Sequence, residues 1–225
     1  MKLKSVWLTG VGLFLFSVLA WAAPPQDYQL GYVFKNPDGS VFRIIRYYLR
    51  DGNKYRAEYL TTVQAGIDHT DAMTEQLPAG GAQWSSSTKM TVERLPSDAA
   101  PQGVEILRKD KGLVWNLMAA SQSYSQAPLR QDAWDYAYGK NFVSDCSGFK
   151  KIGATRLLNY SCDIYQTEED GWSNIITVAR DSKVILKIET FENGKLAETM
   201  EALEFRTEKP AAALFEIPDG YKKNQ

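Results

Sequence analysis

The sequence predicts a mainly β protein of the α+β kind, built on an antiparallel sheet with a few short helices. Asn193-Gly194 lies between two runs of alternating polarity. Asn-Gly is favoured in two-residue hairpin turns because both residues tolerate positive φ. Similar turns recur along the chain between runs rich in β-branched and aromatic residues. This spacing is typical of an all-β sandwich or of a curved sheet approaching a barrel.

The candidate strands lie between these turns. In the first arm of the Asn193-Gly194 hairpin, Val184, Leu186 and Ile188 share one face. The other face carries Lys183, Lys187 and Glu189, which is the period-two pattern of a half-buried strand. Further turns are predicted at Pro37-Asp38-Gly39, Asp51-Gly52-Asn53, Asp110-Lys111-Gly112, Asp170-Gly171 and Asp181-Ser182. The strands are predicted at 28–34, 41–50, 54–62, 89–95, 103–109, 112–118, 122–126, 156–166, 173–180, 183–191 and 196–206.

Two stretches without strand alternation are predicted to be short helices. They are residues 67–77 and 129–142, and the second places Ala133, Trp134 and Ala137 at helical spacing. A sheet with an apolar face must bury that face against another element. The two helices are therefore expected to cover the sheet, and residues 77–88 are expected to form an exposed loop.

The N-terminus has the features of a secretory signal. Lys2 and Lys4 precede an apolar stretch over residues 6–19, and the small residues Ala20 and Ala22 follow it. We predict a cleaved signal peptide at 1–23 and a single domain over 24–225. A retained membrane anchor is the alternative, although the apolar stretch is shorter than the ~20 residues of a spanning helix.

Charge and cysteine content limit the classes of partner and site. The formal net charge of −1 predicts no nucleic-acid partner and no attraction to an anionic membrane. Cys146 and Cys162 are the only two cysteines, and in an exported protein such a pair is expected to form a disulfide. The spacing of a redox-active pair is absent, and two cysteines with one histidine do not make a structural zinc site.

No catalytic motif is present in the sequence. His69 is the sole histidine, so a nucleophilic triad or a metal site would have to be built on it. No nucleophile elbow, phosphate loop or His-Glu-x-x-His motif occurs. The acidic run 168–170 is typical of a solvated turn. We expect no enzyme activity, no metal and no cofactor.

Aromatic residues are spread over most of the predicted elements, and they have two interpretations. Core packing and cross-strand pairing account for them in most sheets. Alternatively, a curved sheet encloses an aromatic-lined hollow when its inner side chains do not fill it. The candidate lining residues, chosen for size and placement, are Trp84, Met90, Trp115, Met118 and Trp134.

Three stretches carry a family resemblance. They are "EILRKDKGLVWNLMAASQSYSQAP" (105–128), "LLNYSCDIYQTEEDG" (157–171) and "LFEIPDGYKK" (214–223). Together they resemble, over roughly 28–223, exported proteins related to outer-membrane lipoprotein-sorting (LolA/LolB-like) factors. The resemblance implies a lipoprotein-carrier-like domain in the periplasm. Its sheet would form an unclosed β-barrel, with helices covering the concave side.

The resemblance also implies a choice between two functions. In the carriers the hollow accepts acyl chains, and in related sensor domains the same scaffold recognises lipoproteins or protein partners. We therefore expect a non-enzymatic periplasmic protein that binds a lipid, a lipoprotein acyl chain or another apolar ligand. The alternative is a ligand-free envelope scaffold that docks a protein partner. A Cys146–Cys162 bond would pin the covering helix to the sheet and restrain the opening that a carrier needs.

Overall fold

The computed structural model of the chain describes residues 25–60, 95, 99–142, 146 and 148–224. Over these residues it contains one α-helix and one twelve-stranded sheet. No helix in these ranges is long and apolar enough to cross a membrane. The strands are β1 Tyr28–Lys35, β2 Val41–Arg50, β3 Lys54–Leu60, β4 Gly103–Arg108, β5 Leu113–Met118, β6 Ser123–Pro128, β7 Lys150–Leu157, β8 Tyr160–Glu169, β9 Trp172–Ala179, β10 Ile185–Glu192, β11 Lys195–Arg206 and β12 Lys222–Lys223; the helix α1 is Gln131–Gly139, and one turn of 3-10 helix spans Ala212–Phe215.

The sheet consists of two antiparallel meanders joined side by side. Strands β1 to β6 are neighbours in chain order, as are β7 to β11, and β11 pairs with β1 to join the two sets. Strand β12 returns to pair in parallel with β6. The sheet is curved and does not close into a barrel, which confirms the predicted fold class. The Asn193-Gly194 hairpin between β10 and β11 is present, and both residues have positive φ.

One predicted strand is wrong in its extent. Residues 156–166 do not form a single strand, because the chain turns at Leu158-Asn159 between β7 and β8. Both turn residues have positive φ, 49° and 67°. Leucine rarely adopts that conformation, so the sequence carries no recognisable turn signal there. Strand β7 was missed because most of its side chains are exposed on both faces and therefore lack an apolar alternation.

Several predictions fall outside the described residues. These are the signal peptide at 1–23, the helix at 67–77, the loop at 77–88 and all but the last residue of the strand at 89–95. The second predicted helix, 129–142, is observed as α1 with its ends trimmed to Gln131–Gly139. One of the two expected covering helices is thus confirmed.

Over its central strands the sheet is apolar and buried on both faces. The face that carries α1, here called the helix face, buries Tyr28, Tyr32 and Tyr55 against Trp134 and Ala137 of the helix. Neighbouring positions on the same strands point to the opposite face, where Val33 and Ile44 form a second cluster with Leu95. Because side chains alternate along a strand, each strand contributes to both clusters. A sheet buried on both faces needs covers on both.

The C-terminal residues cover part of the opposite face. Residues 210–223, here called the C-terminal strap, place Phe215 against Val104, Ile106 and Trp115. Arginines on three adjacent strands donate to its backbone carbonyls: Arg50 to Pro210, Arg56 to Leu214 and Arg108 to Phe215. The strap is thus held by an apolar anchor and by hydrogen bonds that satisfy its own backbone.

Candidate ligand-binding site

The structure separates the predicted lining residues. Trp115 is 6% exposed and lies under the strap on the opposite face, while Trp134 of α1 is buried on the helix face. Met118, three residues beyond Trp115 on the same strand, points to the helix face and is 54% exposed. Trp84 and Met90 lie outside the described residues, as does His69.

Trp115 is a core residue of the opposite face. Its Nε1 donates to Gln126 Oε1 on the paired strand at 3.2 Å. The Arg108 guanidinium and the Lys111 ammonium lie 5.8 and 5.2 Å from its ring centroid, within the range of cation–π contact. Trp115 and Trp134 belong to clusters on opposite faces, so the sheet lies between the two side chains. Ligand binding by the five predicted residues stays a prediction.

The helix face carries a polar cluster where α1 ends. We call it the tyrosine patch, and its members are Tyr47, Tyr55, Tyr59, Glu105, Tyr136 and Lys140. The Lys140 ammonium lies 4.6 Å from the ring centroid of Tyr47 and 5.6 Å from that of Tyr55. The Tyr136 ring, one helical turn earlier, lies 5.7 Å away. The end of α1 thus places a cation over three ring faces.

The charges of the patch are partly desolvated and only loosely balanced. Burial lowers the pKa of Lys140, with the charge of Glu105 acting in the opposite direction. Burial likewise raises the pKa of Glu105. In the described part of the chain no carboxylate lies within 4 Å of Lys140 Nζ. Tyr55 contributes a buried hydroxyl that lacks a hydrogen-bond partner among the described residues.

A gap in the side-chain layer adjoins the patch. Tyr59, Gly103 and Met118 are direct partners across β3, β4 and β5. Among the described residues, a Cβ at Gly103 would approach only the Leu117 carbonyl oxygen, at 3.8 Å. Tyr59 is 39% and Met118 54% exposed. The glycine therefore leaves a gap between the exposed side chains of Tyr59 and Met118. We call this gap the Gly103 groove, and it lies two residues along the strand from Glu105.

Sequence patterns could not have selected this site. Tyr47, Tyr55 and Lys140 come from three separate elements, and only the sheet register and the docking of α1 bring them together. Lys140 has no distinguishing neighbours in the sequence. Gly103 follows Pro101-Gln102, which marks only the end of a loop. The usable signal was the density of tyrosines in residues 47–59.

The predicted disulfide is not formed. Cys146 and Cys162 are free thiols beyond bonding distance. Cys162 points into the helix-face core with Ala179 and Val184. Cys146 packs on the opposite face with Tyr165, three residues along β8 from Cys162. The sheet itself separates the two sulfur atoms, because an odd step along the strand reverses the direction of the side chain.

Native protein is expected to react with iodoacetamide at Cys146 and not at Cys162. Cys146 is half-buried, whereas Cys162 has no exposed surface and donates to the Tyr160 carbonyl at 3.3 Å. Burial raises the pKa of the Cys162 thiol, which lowers its reactive thiolate fraction. Peptide mass spectrometry before and after denaturation measures both sites. An intramolecular Cys146–Cys162 bond in protein recovered from an oxidising compartment would contradict the structure.

Comparisons with known proteins gave structural matches alone. No family model and no curated protein matches the sequence. An uncharacterized conserved protein from Thermus thermophilus superposes with a TM-score of 0.49 and 12% identity, over 89% of this chain and 90% of that chain. The complex of MucA and MucB from Pseudomonas aeruginosa matches with a TM-score of 0.47 and 13% identity, over 84% of this chain and 55% of that chain.

This chain therefore spans about half the length of that partner-bound structure. A third match is a LolA superfamily protein from Nitrosomonas europaea, with a TM-score of 0.30 and 10% identity, over 86% of this chain and 91% of that chain. All three matches have TM-scores of 0.49 or less and identities of 13% or less.

Proposed function

We propose that the protein is a non-enzymatic binding protein of the cell envelope, and that it holds an amphiphile with an anionic head group on the helix face. The envelope location follows from the predicted signal peptide. The observation that supports the ligand is the Lys140 ammonium, which is half-buried over Tyr47 and Tyr55 without a carboxylate partner among the described residues.

The head group would be held by charge. A partly buried ammonium has lost water and gains most from an anion that can hydrogen-bond to it. A carboxylate or phosphate ester beside Lys140 would restore the charged form that burial disfavours. A neutral head group would bring no charge to balance the Lys140 ammonium.

The acyl chain would lie in the Gly103 groove. It would cover Tyr59 and Met118, which flank the glycine on the same face. Apolar burial contributes about 25 cal/mol per Å² before the costs of ordering the ligand are subtracted. Burial of the acyl chain would therefore supply affinity, and Lys140 would supply the preference for an anionic head group.

Lys140→Met is expected to abolish the preference for oleate over oleyl alcohol, two ligands that differ only in the head group. The native protein should bind oleate about tenfold more tightly or better, because hydrogen bonds to charged groups contribute roughly 1.5–3 kcal/mol. Burial lowers the pKa of Lys140. The preference for oleate should therefore be lost as pH rises, at pH values below the pKa of a free lysine. Titration calorimetry and native mass spectrometry measure both ligands.

Two further variants serve as controls. Lys195→Met removes an exposed lysine at the start of β11 and should leave both affinities unchanged. Gly103→Val fills the Gly103 groove with a residue that strands accept, and it should weaken both ligands equally. Equal binding of oleate and oleyl alcohol by the native protein would refute the proposal, as would full binding by Gly103→Val.

A further inference from the structure

We infer that the free edge of the sheet at β7 is a docking site for an acidic segment of another protein, bound in extended conformation as an added strand. This inference is independent of the amphiphile site, because β7 lies at the opposite end of the strand order from β5 and β6. It rests on the exposure of β7, on the charges it carries and on a cleft beside it.

Strand β7 is a long, exposed edge. It pairs with β8 on one side and has no neighbouring strand on the other in the described structure. Six of its eight residues are exposed, including Ile152 at 44%. An unpaired strand edge presents a row of backbone donors and acceptors that an extended peptide can use. The other edge ends in β12, which has two residues and belongs to the strap.

Lysines and bulges also serve to protect edges from pairing, and β7 has both. The register shift is confined to Lys151–Gly153, however, while Gly153 to Leu157 pair with consecutive residues of β8. Those five residues form an undisturbed ladder of about 16 Å at 3.3 Å per residue. The bulge and the lysines therefore protect the start of β7, while its second half keeps a regular row of backbone donors and acceptors.

The charges on β7 are all positive. They belong to Lys150, Lys151 and Arg156, and the strand has no acidic residue. Asp163 on β8 binds Lys151 at 2.8 Å but is shared with Arg180 at 2.9 Å. Lys150 and Arg156 make no ion pair with any described residue. An added strand with acidic side chains would complete these pairs across the new ladder.

The same charges disfavour a second copy of this chain as the occupant. An antiparallel pair of two β7 strands centred between Gly153 and Ala154 would place each Lys151 opposite the Arg156 of the copy. Directly opposed like charges destabilise a strand pair. An acidic segment from a different protein meets no such repulsion.

A surface cleft adjoins the start of β7 and provides a place for a side chain of the partner. Its volume is about 300 Å³, and it is lined by Gly148, Phe149, Lys150, Gln166, Thr167 and Glu168. Phe149 is held by an edge-to-face contact with Tyr165, at 6.4 Å between ring centroids. The cleft is at the small end of the range for ligand pockets. Its lining is mostly polar with one aromatic ring, so it suits a single peptide side chain better than a whole small molecule.

The test uses three fluorescein-labelled decapeptides. The first repeats Thr-Thr-Glu-Glu, which places glutamates on both faces of an added strand, because Lys150 and Arg156 lie on opposite faces. The second repeats Thr-Thr-Lys-Lys, and the third is the first with N-methylated backbone amides. Fluorescence anisotropy at low salt should show binding of the glutamate peptide alone. The double variant Lys150→Glu, Arg156→Glu should weaken it at least about tenfold, since two attractions become repulsions. The matched control Lys195→Glu, Lys209→Glu reverses two exposed lysines elsewhere and should leave binding unchanged.

Amide hydrogen exchange distinguishes strand addition from diffuse attraction. The glutamate peptide should slow exchange in residues 150–157 of the native protein and not in the double variant. Binding of the N-methylated peptide with equal affinity would overturn strand addition. Equal loss of binding in both charge-reversal variants, protection elsewhere in the chain, or dimerisation through β7 in sedimentation experiments would overturn the inference.

Discussion

Phe215→Ala is expected to lower the free energy of unfolding by about 3–5 kcal/mol, the range for truncating a large buried aromatic. Phe215 has no exposed surface and packs on Val104, Ile106, Trp115 and Leu117 of the opposite face. Removing its ring leaves a cavity above two strands and detaches the apolar anchor of the C-terminal strap. Trp115 would then gain exposure to water.

Urea denaturation followed by tryptophan fluorescence measures this effect. Trp172→Ala is the matched control, because it removes an aromatic side chain that is already 45% exposed. The control is expected to change stability by less than about 1 kcal/mol. If both variants lost the same stability, Phe215 could not be a core residue, and the opposite face would need another cover.

Arg108→Met is expected to lower the free energy of unfolding by about 2–3 kcal/mol. The guanidinium is buried and donates to Phe215 O at 2.9 Å, to Glu216 Oε1 at 2.5 Å and to both oxygens of Asp110 at 2.8 and 2.7 Å. Methionine keeps much of the apolar stem but removes every donor. Asp110 and Glu216 are partly exposed and recover water, which keeps the loss below that of a fully buried ion pair.

The pH dependence of the same variant provides an independent readout. Hydrogen bonds from Arg108 lower the pKa of Asp110. Burial alone would raise the pKa of Glu216, but hydrogen bonds from Arg108 and Lys111 outweigh it and lower that pKa too. A carboxyl group whose pKa is lower in the folded state than in the unfolded state stabilises the fold at pH values above its unfolded-state pKa. This stabilisation is lost as the pH falls through the folded-state pKa.

The native protein should therefore lose stability below about pH 4, and Arg108→Met should lose less over the same range. Urea midpoints measured between pH 3 and pH 7 test this. Parallel pH curves for the two proteins would show that Arg108 does not control these carboxylates. The stability losses of Arg108→Met and Phe215→Ala are not expected to add, because both act on the same strap.

Most of the strands could be predicted from the sequence, and the exceptions have physical causes. Strands β2, β9 and β11 were placed to within a residue or so, because turn residues mark at least one end of each. Strand β7 was missed because it is exposed on both faces. The turn at Leu158 was missed because leucine seldom takes positive φ.

The sequence predicted the type of candidate site but not the residues that form it. The sequence indicated aromatic residues on a sheet beneath a helix, and Trp134 and Met118 do lie on the helix face. It could not indicate that Trp115 belongs to the other face. Nor could it indicate that Lys140 and Glu105, which are 35 positions apart, lie close enough beside the tyrosines of β2 and β3 for each charge to affect the other.

By itself, the sequence determined the class of fold, the hairpins and the helix, because backbone preferences and the period of apolar residues act over a few neighbouring positions. Only the tertiary structure decided which strand borders which, which face each side chain joins and what covers that face. Those outcomes depend on register, and a shift of one residue reverses every side chain of a strand. The separation of the two cysteines and the burial of Trp115 under Phe215 both follow from that register.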